Sequence, residues 1–202
     1  MRTANAADPS DGLRRFGFGM PEQRADGAAT PTPSGCAPMR EIAMTAFRCV
    51  AIPTETAERF RRTGRDDRGL ALHRRVVDGH GFPCRHCLRL GTPGEVMLLG
   101  SYDLPHPQGV YWTPSPIFLH ERDCARFDAV NEIAPTVLAN AMVSVRAYDA
   151  GEMCLYELGA VSEGRAAAPL LQRALEDPRT RFINIHTARP GCLLAAVERL
   201  DG

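Results

Sequence analysis

Two pairs of soft or borderline ligands stand out in this chain. Cys84 and Cys87 are two residues apart in Phe82-Pro83-Cys84-Arg85-His86-Cys87-Leu88, and His120 and Cys124 follow with H-x3-C spacing. A C-x2-C turn brings two sulfurs close enough to bind one ion, and a second pair completes the four ligands of a closed zinc site. The metal-ligand candidates are therefore Cys84, Cys87, His120 and Cys124, with Zn as the candidate cofactor. His120 and Cys124 would share a face if Glu121–Cys124 were helical, because positions i and i+4 align on a helix. The same thiols support a second chemistry. Arg85, Arg89 and a protonated His86 could lower a neighbouring thiol pKa, making Cys84 a candidate nucleophile with His86 or His120 as its base. A third reading needs no chemistry: cysteine packs well as a small hydrophobe.

Further groups are candidates for binding. His186, Arg189 and Cys192 flank one tight turn, where an arginine could clamp a carboxylate or phosphate. Tyr111, Trp112 and His106 fall in a proline-rich loop that could form a recognition surface, or else close the edge of the core. His73, His80 and His106 read as solvated. Cys49 and Cys154 read as packed strand residues, and Cys36 as inert. The sequence contains no P-loop, dinucleotide fingerprint, serine-nucleophile elbow or H-E-x-x-H motif. A thioredoxin arrangement is disfavoured because Pro93 and Gly94 leave no room for a long helix after C-x2-C.

The elements that must position these residues follow from periodicity and breakers. Residues 1–44 carry five prolines with many Gly and Ala and no periodicity, so they are expected to be a disordered tail. Met39 and Met44 near its end make an overcalled translation start a further expectation. Residues 45–202 are expected to form a single domain. Phe47–Ile52 reads as a strand. Glu55–Thr63 reads as a helix with Thr54 as N-cap, Phe60 as apolar anchor and Gly64 as stop. Strands are expected at Leu72–Val77, Val96–Tyr102 and Ile117–Leu119. Pro105, Pro107, Pro114 and Pro116 mark the loop between the last two. Met142–Tyr148 and Met153–Val161 read as a hairpin about Asp149-Ala150-Gly151-Glu152. Ser162 is the expected cap of a helix over Glu163–Glu176, with Leu170, Leu171 and Leu175 on one face. Arg181–Thr187 and Cys192–Leu200 close the pattern as two strands, with Ile183 and Ile185 on one face and Asn184 and His186 on the other. The order β-β-α-β-β implies an α+β domain on a mostly antiparallel sheet with one or two packed helices.

Composition narrows the partners. Of 202 residues, 44% are hydrophobic, enough for a real core. The 24 basic residues are all arginine and are balanced by 24 acidic ones, so no global attraction to nucleic acid is expected. No apolar run approaches the ~20 residues of a membrane helix. Seven cysteines without a signal peptide imply a reducing, cytoplasmic setting.

At this level a resemblance becomes specific. The segment Phe82–Leu88, then Pro93–Leu99, Pro116–His120, Arg146–Asp149 and Ala188–Cys192 resemble the bacterial "domain of unknown function 1203" family over about residues 47–200. The resemblance implies a compact single domain and carries no activity. The reading that follows is an uncharacterised bacterial cytosolic domain with a Cys/His site, structural zinc or small-ligand binding. A thiol-dependent enzyme using Cys84 and an interaction module with packed cysteines are its alternatives.

Overall fold

The computed structural model describes residues 44–79 and 81–200; the expected tail, Cys36 and His80 lie outside them. Among the described residues eight strands form two antiparallel sheets, and the fold is α+β, as the pattern of elements implies.

The first sheet has the order β1-β8-β7-β5-β6. Strand β1 is Phe47–Val50, β5 Val143–Tyr148, β6 Ala160–Ser162, β7 Phe182–Thr187 and β8 Leu193–Arg199. The β7–β8 hairpin turns at Gly191, whose φ of 75° lies in the left-handed region where a side chain is disfavoured. Ile183 and Ile185 of β7 face helix α3 (Ala167–Glu176) within one apolar core, alongside Cys49, Val145 and Val197. In α3 the buried positions are Ala167, Leu171, Ala174 and Leu175, a spacing of three and four that makes one face. Leu170 lies off that face and is only half-buried. Short helix α2 (Pro135–Leu138) packs into the same core through Val137.

The second sheet has the order β2-β3-β4, with β2 His73–Val76, β3 Val96–Asp103 and β4 Pro114–His120. Its core includes Phe60 of helix α1 (Thr54–Thr63), Met97, Ile117, Leu119 and, from the other sheet, Leu193. Helix α1 ends at Gly64 in the left-handed conformation, φ 63°, where the Gly64 N–H returns to the Phe60 carbonyl. The loop after α1 is fastened to β3 by Asp66. Its carboxylate accepts N–H groups of Arg68, Leu70 and Ser101, which outweigh burial and hold its pKa below the usual range.

Several expectations are corrected. Thr54 does not cap α1: Pro53 holds the cap position and the Thr54 hydroxyl turns instead to His86. Pro114 and Pro116 belong to β4, an edge strand, where a missing N–H can face away from the ladder. Met153–Val161 is not one strand. After a bridge between Tyr148 and Cys154 the chain makes a 3₁₀ turn at Tyr156–Leu158 before β6 forms. Ser162 lies in β6, and a 3₁₀ turn at Gly164–Ala166 precedes α3. His73 on β2 is exposed, as expected, while the His106 ring, also expected to be solvated, meets Glu152. Trp112 does cover an edge: its indole N–H reaches the Leu104 carbonyl while Arg68 lies over its ring.

The close approach of α2 and the 3₁₀ turn requires Gly164. Its N–H bonds the Asn140 carbonyl at 3.0 Å, and a Cβ there would overlap the carbonyl oxygens of Val137 and Asn140. Gly164→Ala is expected to destabilise the protein by about 1–3 kcal/mol, because backbone rather than a flexible side chain must move. Chemical denaturation checks this; an unchanged midpoint would contradict the packing described.

Candidate metal centre

The C-x2-C segment forms a tight reversal. Pro83 and Leu90 bridge in antiparallel fashion, and the Cys84 N–H returns to the Arg89 carbonyl at 2.9 Å. Leu88 adopts φ 51°, uncommon for a residue with a side chain, and is completely buried. Packing of Leu88 into the core of the five-stranded sheet holds it there, while Cys84 and Cys87 point into the core of the other sheet. Backbone N–H groups of Cys87 and Arg89 face the sulfurs of Cys84 and Cys87 respectively. Such donors favour the thiolate that a metal requires.

Strand β4 delivers His120 at its end, and the irregular segment after it returns Cys124. Glu121–Cys124 is not helical, so the expected i, i+4 alignment is not what joins these two residues. Arg61 on the last turn of α1 holds the segment in place. Its Nε donates to the His120 carbonyl at 3.1 Å, Nη1 to Asp123 at 3.3 Å and Nη2 to the Cys124 sulfur at 3.4 Å.

One ligand atom from each of Cys84, Cys87, His120 and Cys124 lies within 4.8 Å of all the others. The Cys84 and Cys124 sulfurs are 3.9 Å apart, and His120 Nδ1 is 3.5 Å from the Cys87 sulfur. A tetrahedral zinc with arms of ~2.3 Å to sulfur and ~2.0 Å to nitrogen spaces its ligands roughly 3.5–3.8 Å apart. The donor set therefore fits a metal ion in both chemistry and spacing. His120 is oriented as a ligand would be. Its Nδ1 faces the sulfurs, while Nε2 lies 3.5 Å from Glu95, whose carboxylate is held by the Thr92 N–H. A carboxylate on the second ring nitrogen is the usual support for a metal-bound histidine.

Without an ion, protons move toward one arrangement. Hydrogen bonds from Cys124 and Cys87 hold the Cys84 thiol well below its usual range. Hydrogen bonds to Cys124 and Cys84, with burial, push the Cys87 thiol up. Hydrogen bonding to Cys124 and Cys84 raises His120 to about 10, so it is an imidazolium at neutral pH. His86 lies beside the cluster. Burial, then Arg61, lowers its pKa, and the neutral ring serves two contacts. Nδ1 lies 3.3 Å from the Cys124 sulfur and Nε2 3.0 Å from the Thr54 hydroxyl. The tautomer that satisfies both donates from Nδ1 to sulfur and accepts at Nε2.

Arg61, Glu95 and the His86 contact are absent from the sequence reading. Arg61 is an ordinary helix position and Glu95 an ordinary turn residue until the fold brings them to the ligands. His186, Arg189 and Cys192 do not share a surface. His186 is buried, its Nδ1 donates to the Gly191 carbonyl at 2.8 Å, and burial lowers it to about 4. Arg189 is exposed on the turn, and Cys192 is half-buried with its N–H on the Thr187 hydroxyl.

A family model described as "Protein of unknown function (DUF1203)" matches residues 81–199, a span that contains all four candidate ligands. No curated protein and no solved structure matches the chain. Glu95→Ala is expected to weaken metal affinity about tenfold or more, the usual loss when a ligand histidine loses its carboxylate. Competition against a chromophoric chelator measures this. Affinity equal to that of the parent protein would remove Glu95 from the site.

Proposed function

The chain belongs to the DUF1203 family of proteins of unknown function, so its role has to be argued from its own residues, and we propose that Cys84, Cys87, His120 and Cys124 form a structural zinc site. The observation that carries this reading is the convergence of three sulfurs and one imidazole within 4.8 Å. Thiolate and imidazole ligands suit zinc, which binds four of them as a tetrahedron in structural sites. Four protein ligands would leave no position for water or substrate, which favours a structural over a catalytic role. Burial agrees: Cys84 is 0% and Cys87 7% exposed, so a substrate could not reach either sulfur without opening the core. That burial also weighs against a thiol-dependent enzyme using Cys84. The ion would join the C-x2-C turn to the end of β4, where little regular structure holds the chain. In this reading the protein works in a reducing compartment that keeps the ligands as thiolates, in keeping with six free cysteines among the described residues.

Elemental analysis of purified, untagged protein is expected to show near-stoichiometric zinc. Chelation should lower the melting temperature, and Cys87→Ser should weaken metal binding strongly. Metal uptake should release protons, because His120 and Cys87 hold theirs in the metal-free protein at neutral pH. Apparent affinity falls on acidification and rises with pH, less steeply above about 10, where metal-free His120 has deprotonated and Cys87 still holds its proton. Titration in two buffers of different ionisation enthalpy counts the protons. Metal-free protein with an unchanged melting temperature and freely titratable Cys84 and Cys87 would end this reading.

A further inference from the structure

The face of the five-stranded sheet opposite α3 is only partly covered by β3, β4 and the loop after β3. A cavity of about 650 Å³ remains there, lined by none of the four candidate metal ligands. Its size falls within the ~300–1,000 Å³ of small-molecule sites. The floor includes Leu193, Ala196 and Phe182, and Phe182 is held by stacking on Tyr148 at 4.9 Å between ring centroids.

Three side chains more than nine-tenths buried line this cavity with hydrogen-bonding capacity left unused among the described residues: Asn184, Tyr102 and Thr180, the last 5% exposed with no partner for its hydroxyl. Asn184 is 2% exposed; its Nδ2 donates to the His106 carbonyl at 3.1 Å, while its Oδ1 takes no donor among the described residues. Tyr102 is 7% exposed and its hydroxyl has no partner among the described residues. Burial raises its pKa, so it remains a neutral donor. Arg126 stands at the rim by the end of β1. Two of its nitrogens donate to the Ile52 and Ala51 carbonyls, but no carboxylate pairs with its charge among the described residues. The acidic groups are placed differently. Asp149 and Glu152 lie at the β5 end and are already engaged by N–H groups of their own and the neighbouring turn; Glu198 is exposed.

The polar groups differ along the cleft: Arg126 and the Tyr102 hydroxyl lie toward β1, the Asn184 carbonyl oxygen in the middle, and Asp149 and Glu152 toward β5, while Glu198 and Arg199 of β8 lie beside β1 and Arg181 lies beside the end of β5. Val50, Ala196 and Asn184 are successive register partners across β1, β8 and β7. Val50 and Asn184 are thus two strand spacings apart, roughly 10 Å. An extended peptide covers that distance in about three residues at ~3.3 Å each.

From this arrangement we infer that the cleft binds a small peptide-like acid. Its carboxylate meets Arg126 and the Tyr102 hydroxyl, an N–H donates to Asn184 Oδ1, and an apolar side chain rests against Phe182 and Leu193. The site is independent of the zinc reading.

Calorimetric titration of the zinc-supplemented full chain with three probes tests it: alanyl-alanyl-phenylalanine, its C-terminal amide, and 3-phenylpropionate. The tripeptide, long enough to span the cleft, should bind. The amide, lacking the anion, and phenylpropionate, lacking the N–H donor, should each bind about tenfold more weakly, the loss of one charged or buried hydrogen bond. Arg126→Gln, at an exposed position, should abolish the preference for acid over amide. No binding by any probe, or equal affinity of acid and amide for the parent protein, would overturn the inference without touching the metal site. A preference for the acid that survives Arg126→Gln would overturn it as well.

Discussion

The rest of the structure depends on one buried, irregular turn. The backbone from Pro83 to Arg89 forms only isolated bridges, to Leu90 and to Phe118, and buried peptide groups left unpaired are costly. The turn meets this by drawing donors from separate segments. The Arg85 carbonyl accepts the Ile52 N–H, the His86 carbonyl that of Phe127, and the Leu88 carbonyl that of Thr136. The Arg85 N–H in turn reaches the Phe118 carbonyl of β4. The Arg85 side chain, 3% exposed, donates to the carbonyls of Leu193 and Pro83. Both sheets, α2 and the segment after β4 are thus tied to six or so residues with no regular structure of their own.

That turn carries a buried cation, which a nearby anionic centre would favour, and one strained backbone position. Arg85 is a buried cation with no carboxylate partner among the described residues, and burial lowers it only to about 10, so it stays charged at neutral pH. Nearby Cys192 and Cys84 are the groups whose negative charge would favour it. Leu88 holds a left-handed conformation that disfavours side chains by about 1–2 kcal/mol. Three thiolates around a divalent ion leave a net negative cluster beside Arg85 and Arg61. A structural zinc site contributes an apparent ~10–16 kcal/mol in small peptides, far more than the strain in the turn. A zinc ion bound as proposed would add to the packing that already holds Leu88.

What could be read from the sequence was local. The cluster of candidate ligands is legible because thiol and imidazole spacing is chemistry written along the chain. The stop of α1 at Gly64 and the turn at Gly191 are legible because each needs a positive φ that glycine supplies. The face shared by Ile183 and Ile185 follows from strand alternation. What escaped depends on contacts between distant segments. Nothing in β2, β3 or β4 says that they form a sheet apart from β5, β7 and β8. Thr54 has the chemistry of a helix cap, but His86, 32 residues away, takes its hydroxyl. Glu95 and Arg61 gain their roles only when the fold brings them to His120 and Cys124. The cleft over Asn184 escaped for the same reason: it is a gap between two sheets, visible only after both have formed.

The central claim is that these four side chains hold one zinc ion, and zinc K-edge X-ray absorption on the purified protein tests it most directly. The account predicts a four-coordinate shell of three sulfurs at about 2.3 Å and one nitrogen at about 2.0 Å. A shell dominated by oxygen or nitrogen, or one unchanged by Cys124→Ser, would place the metal elsewhere and contradict it.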